Sequence, residues 1–163
     1  MATREDASEA LMLNVQRAAK MAANLSEADL AKPVYSAEGP GWTVKDVFAH
    51  LASWGNQPAF FIGVMQRAMS SGGGSEPGFD LNAFNNQEVD ARKDKTISEL
   101  LAEFRQGHEK GCEMIASLPD ELLTFKRPHP FQGGMSTVLE MIQRSCLHHE
   151  AQHLMDIARV LRE

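Results

Sequence analysis

Three histidines have the residue type and spacing to share one metal ion: His50, His149 and His153. In the string His149-Glu150-Ala151-Gln152-His153 two imidazoles stand four residues apart. On a helix such a pair faces one side, with Cβ atoms roughly 6 Å apart. Neutral imidazole is a good ligand for zinc, nickel, iron or copper. His50 is the one histidine of a separate amphipathic stretch and lies at the edge of its apolar stripe. Imidazoles from two helices then make a facial set with positions left for water or substrate. The competing reading is a polar cluster satisfied inside an apolar core, which is the default for any one of these histidines taken alone.

Two further groups are candidates for moving protons, His108 and Glu150. His108 falls among Leu101, Phe104 and Cys112, so it also fits a core histidine. Glu150 completes an H-E-x-x-H string, which in zinc proteases supplies the general base. Little sequence follows it to carry a further ligand, and no strand is available to hold an extended peptide, so a protease is not expected. His129, between two prolines, and His148, off the ligand face, are expected on the surface. Cys146, one turn before His149, and Cys112 are expected to pack rather than ligate. The chain contains no G-x-S-x-G elbow, P-loop, dinucleotide fingerprint or C-x-x-C pair. The Gly72–Gly74 run lacks the strand and the Lys-Ser/Thr that phosphate binding needs.

These residues must be positioned by helices. Leu11, Val15, Ala18, Ala22 and Leu25 recur at helical spacing and predict a first helix over 4–24. Ser26 with Asp29 predicts a short capped turn, and residues 31–41 a connection broken by Pro33, Gly39, Pro40 and Gly41. Thr43 and Asp46 have capping-box spacing at the start of a second helix, with Trp42 placed as a staple against Val47. Its stripe is Val44, Val47, Phe48, Leu51 and Trp54, and His50 sits beside it. Pro58 should interrupt that helix near residues 54–56, after which Phe60, Phe61, Val64, Met65 and Met69 continue the pattern. Residues 70–95 open on SSGGGSEPG and show no strong period, so they read as a long crossover, with Phe79, Phe84, Asn82, Asn85 and Asn86 as pocket-facing candidates. Thr96 and Glu99 begin a third helix over 97–117. A second connection spans 118–135. Thr137 and Glu140 begin a fourth helix over 137–162, whose inward stripe is Leu139, Ile142, Cys146, His149, His153, Ile157 and Val160. The segment 25–30 with Gly41-Trp42-Thr43 has a faint echo in 118–123 with Gly134-Met135-Ser136. No segment reads as a strand. Four helices with one apolar face each make an all-α four-helix bundle, expected as one domain over 1–163.

Composition narrows the chemistry. With 163 residues, 43% hydrophobic and 23% charged, the chain is long and apolar enough to bury a core without staples. Lys plus Arg total 16 against 22 Asp plus Glu, a net charge of -6, which argues against phosphate-backbone binding and leaves a small molecule as the better substrate class. The densest basic stretch, Arg92, Lys93 and Lys95, is broken by acids and is expected to be solvated. Two cysteines in helical runs fit a reducing compartment. The charged N-terminus has no apolar signal region, and no run is long enough to span a bilayer, so no membrane association and a cytoplasmic location are expected.

The motif GWTVKDVFAHLASW followed by HHEAQHLMDIARVL resembles the DinB-like metalloproteins, a grouping that takes in YfiT-like hydrolases and mycothiol-dependent maleylpyruvate isomerases. The resemblance covers essentially the whole chain. It implies a four-helix bundle with a long link between helices two and three. It also implies a divalent metal, zinc or nickel, held by one histidine of the second helix and two of the last, which match His50, His149 and His153. Members of this kind use a low-molecular-weight thiol such as mycothiol or bacillithiol, isomerise, or hydrolyse, and often form homodimers. The segment FNNQEVDARKDKTISELLAEF resembles both the ClbS/DfsB-like branch and the mycothiol-using branch, and places Asn85 toward the pocket as a cofactor contact. The function expected is S-transfer or hydrolysis on a small molecule. The alternative is a non-catalytic metal- or ligand-binding protection protein.

Overall fold

A computed structural model of the chain describes residues 2–36, 40–71, 80–131 and 133–162. Gly39, Gly72–Gly74 and Phe79, singled out above, lie outside the described residues. Helix α1, Arg4–Ala22, opens on Thr3, whose side chain accepts from the Asp6 backbone N–H while Asp6 accepts from the Thr3 backbone. The same reciprocal box opens α2 (Glu27–Leu30), α3 (Val44–Ser53), α6 (Ile97–Ala116) and α8 (Val138–Arg144) through Ser26/Asp29, Thr43/Asp46, Thr96/Glu99 and Thr137/Glu140. Each box satisfies backbone donors that the helix itself cannot reach.

Four long helical runs make the bundle. They are α1; α3 continued through the 3₁₀ turn Trp54–Asn56 into α4, Gln57–Ser71; α6; and α8 continued through Ser145–Glu150 into α9, Ala151–Val160. Helix α1 packs on α6 and α8, and α6 receives α3, the turn and α4. One part of the core centres on Phe48, Leu51, Leu100, Phe104 and Ile157, the other on Leu11, Phe61, Met65, Met141 and Ile142.

The break at Trp54–Asn56 has the expected cause. Pro58 has no N–H to offer the Trp54 carbonyl, and its ring would clash there. Instead it becomes the second residue of α4, where a missing N–H costs nothing. Helix α6 closes tightly on this break. A Cβ on Gly107 would lie 2.5 Å from the carbonyl carbon of Gly55, and one on Gly111 would lie 2.6 Å from Pro58 Cγ. Only hydrogens fit there, which brings His108, between the two glycines, deep into the bundle.

The long link differs from expectation. It carries a helix, α5, Leu81–Asp90, capped by Asp80, whose side chain accepts from the Asn82 and Ala83 backbones. Val89 is its one buried residue, so the sequence has no apolar stripe to betray it. Polar bonds tether it instead: Trp54 Nε1 donates to Asn85 Oδ1 at 2.9 Å and Trp42 Nε1 to Asn86 Oδ1 at 3.2 Å. Arg92, expected to be solvated, is held between Glu88 Oε2 at 2.8 Å and Glu103 Oε1 at 2.7 Å.

The second connection folds as α7, Asp120–Thr124, and two antiparallel two-residue strands, β1 (Arg127–Pro128) and β2 (Met135–Ser136), with Arg127 opposite Ser136. A ladder this short leaves no alternation to read. The first connection has the same succession: α2, an antiparallel bridge between Pro33 and Thr43, then α3. The turn between β1 and β2 also buries His129, contrary to its expected surface position. It is 4% exposed, its ring centroid lies 5.4 Å from that of Phe61, and its Nδ1 accepts from the Phe131 backbone N–H at 3.1 Å. His148 is exposed as expected. Among the described residues, no helix is long and apolar enough to cross a membrane.

Candidate metal centre

His50 leaves the last turn of α3, His149 the end of the last helix's middle segment, and His153 the first turn of α9. Their Nε2 atoms converge. His149 Nε2 is 3.2 Å from His50 Nε2 and 3.1 Å from His153 Nε2, and the three potential ligand atoms all lie within 4.8 Å of one another. Two nitrogens bound at 2.0–2.1 Å around a tetrahedral zinc are roughly 3.3 Å apart, which the two distances from His149 match. Among the described residues it is a group of three, with no fourth His, Cys, Asp or Glu.

The electrostatics favour the ligand form. Burial, then the charges of His153 and His149, push the His50 pKa down to about 2. Burial, then His149, push that of His153 down to about 4. Burial lowers that of His149 as well. All three rings are therefore neutral at pH 7, with a nitrogen lone pair to offer.

One ring has its tautomer set by its neighbours. Tyr35 Oη lies 2.7 Å from His153 Nδ1 and donates to Asp156 Oδ2 at 2.9 Å. A phenol has one proton, and a carboxylate can only accept. Tyr35 must therefore accept from His153 Nδ1–H, which leaves the Nε2 lone pair for a metal. Outer partners of this kind orient ligating histidines. Trp42 lies against His50 with ring centroids 4.8 Å apart, and the edge of Trp54 reaches His50 at 6.4 Å and His149 at 6.0 Å. These rings fill the space around His50, which is 1% exposed.

Behind the triad lies a second polar cluster. Ser145–Glu150 is π-helical, and the Cys146 carbonyl accepts from the Ala151 backbone N–H and from Asn14 Nδ2 at 2.7 Å. Such an insertion turns everything after it by about 100° relative to a plain α-helix. The innermost line of the last helix is therefore Cys146, Glu150, Leu154 and Ile157, with His149 and His153 half-buried on its flank. Glu150, fully buried, accepts from Asn14 Nδ2 at 2.9 Å and from Gln57 Nε2, and its Oε2 lies 3.2 Å from His108 Nε2. His108 is fully buried too. Burial pushes the Cys146 thiol pKa up, which fits packing rather than ligation.

Among the residues expected at the site, His50, His149 and His153 meet, His108 and Glu150 pair one layer behind them, and Asn85 bonds Trp54 at the rim. Tyr35, Asp156, Asn14 and Gln57 were not anticipated. Asp156 stands three residues after His153 on the same helix, a visible signal. Asn14 interrupts the apolar stripe of α1 between Leu11 and Ala18, another. Tyr35 lies in a loop 118 positions from its partner and left none.

Comparisons with known proteins bear on the fold. Residues 10–157 match the model of the DinB superfamily. No curated protein matches the chain. YfiT from Bacillus subtilis, described as a probable metal-dependent hydrolase with an unusual four-helix bundle topology, superposes with a TM-score of 0.73 at 19% identity, over 98% of this chain and 86% of its own. A Streptococcus pneumoniae protein gives 0.69 at 15% identity, over 99% and 92%. An uncharacterised protein from Clostridium difficile 630 gives 0.70 at 15% identity, over 99% and 97%. At these identities the likeness is one of fold.

Proposed function

The chain belongs to the DinB superfamily, and from that premise we propose that it is a divalent-metal-dependent enzyme acting on a small molecule by thiol transfer or hydrolysis. The observation that carries this reading is the convergence of His50, His149 and His153 through their Nε2 atoms. Three neutral ligands leave a bound zinc or nickel ion its full positive charge, with which it acidifies a water or a thiol and polarises a substrate. A set of three, with no fourth side chain among the described residues, favours an open position for substrate over a closed structural site.

The chain's own residues divide the remaining work. Tyr35 and Asp156 hold the His153 ring, and Trp42 and Trp54 keep water from the inner side of His50. His108 and Glu150, paired at 3.2 Å behind His149, are the candidates for moving a proton. Asn85 accepts from Trp54 through Oδ1, which turns its amide N–H₂ away from the indole and offers it to a thiol cofactor. The nucleophile in this reading is a low-molecular-weight thiol or water, and the narrower kinship with mycothiol-using isomerases or ClbS/DfsB-like proteins decides between them. A cytoplasmic homodimer completes it.

The test is elemental mass spectrometry on protein purified without an affinity tag, beside His153→Ala. About one metal per chain, lost in the variant, supports the reading and justifies screening thiol transfer and hydrolysis. No metal, even after incubation with zinc, nickel or manganese, sinks it.

A further inference from the structure

Seven large hydrophobic side chains are exposed among the described residues, and two are aromatic: Phe60, 38% exposed, and Phe131, 39%. They come from separate elements, α4 and the turn between β1 and β2, yet stack on each other with centroids 5.7 Å apart and planes 12° from parallel. Both meet Trp54 edge-on, Phe60 at 6.2 Å and 81°, Phe131 at 5.9 Å and 90°. Trp54 in turn touches His149 and His50. A continuous path of ring contacts therefore leads from the imidazoles to solvent. Leaving this aromatic surface in water is unfavourable.

We infer that Phe60 and Phe131, with buried Trp54 behind them, form a shelf for a flat aromatic group of the substrate, whose reacting head lies at the three histidines. The inference rests on the metal-site reading above. The distances bound the substrate class. Trp54 lies 6.0 Å from His149 and Phe131 5.9 Å from Trp54, so one ring separates the shelf from the histidines, which suits an aryl group carried close to the reacting head. A ring laid against the shelf gains edge and face contacts and buries apolar area that the fold leaves exposed. A purely aliphatic or fully polar substrate gains neither.

The experiment uses two probes with the same metal-seeking head, acetohydroxamate and benzohydroxamate, titrated by calorimetry into the zinc-loaded full chain. Benzohydroxamate is expected to bind roughly tenfold more tightly, the scale of one buried, well-packed ring. Phe60→Ala combined with Phe131→Ala should abolish the preference and leave acetohydroxamate binding unchanged. Phe131→Leu, which keeps apolar bulk without the ring, should reduce it and guards against misfolding of the double variant. Equal affinity for the two probes, or a preference that survives both variants, overturns the shelf. So does zinc uptake without binding of either probe. Failure to take up zinc at all instead sinks the metal-site reading, and the shelf with it.

Discussion

Tyr35 Oη stands 2.7 Å from His153 Nδ1, and this contact decides which nitrogen of His153 faces the other two imidazoles. Phe at position 35 removes the acceptor and frees the ring to turn. Tyr35→Phe is expected to weaken zinc binding by about 10- to 100-fold while the helical circular dichroism stays unchanged. Asp156→Asn, which leaves the phenol in place, should have the smaller effect. Competition against a chromophoric chelator measures both.

Metal binding should stabilise the fold, because the ligands come from two separate helices. Zinc at about a thousand times its dissociation constant adds about 4 kcal/mol. Differential scanning calorimetry should show the rise in melting temperature, its reversal by a chelator, and its absence in His50→Ala.

Acid should loosen the metal-free protein in a defined direction. His50 and His153 have folded pKa values near 2 and 4, below the ordinary 6.5, so between those values the unfolded chain binds more protons than the folded one. The stability these rings contribute is complete above pH 6.5. It is lost as pH falls, first through the His153 value and then through that of His50. Urea midpoints of chelator-treated protein should fall between pH 7 and pH 4, and less so in His153→Ala.

Gly107→Ala forces a Cβ to within 2.5 Å of the Gly55 backbone, where no flexible side chain can give way. The variant should be less stable by about 1–3 kcal/mol, despite alanine's better helix propensity. Denaturant unfolding checks this.

Glu150→Ala strips the carboxylate acceptor from buried Gln57, one of two acceptors from Asn14, and the partner from His108. Leaving such donors unsatisfied costs about 1–3 kcal/mol each. The variant should lose at least about 2 kcal/mol of stability in urea unfolding. Metal content measured in parallel tells whether the π-helical turn still presents His149.

Interactions that act over one or two helical turns were legible in the order of the residues. Capping boxes such as Thr43 with Asp46 and Thr137 with Glu140 join residues three apart, and all of those expected are formed. Pro58 removes a backbone donor wherever it stands, so the break at Trp54–Asn56 was legible. The spacing of His149 and His153 fixes a shared helix face, and His50 on its own amphipathic run pointed to the same centre. The remaining features are made between segments far apart in the chain and exist only once those segments pack. Gly55 and Gly107 set how closely α6 approaches the break. The π-helical turn, held partly by Asn14 from α1, put Glu150 rather than His149 on the innermost line. Helix α5 is bound by indole-to-amide bonds instead of an apolar stripe, so no period announced it. His129 became buried because a turn folded it onto Phe61. Tyr35 reached His153 for the same reason: a loop has no periodicity, and which side chain it delivers is settled by the surfaces that close around it.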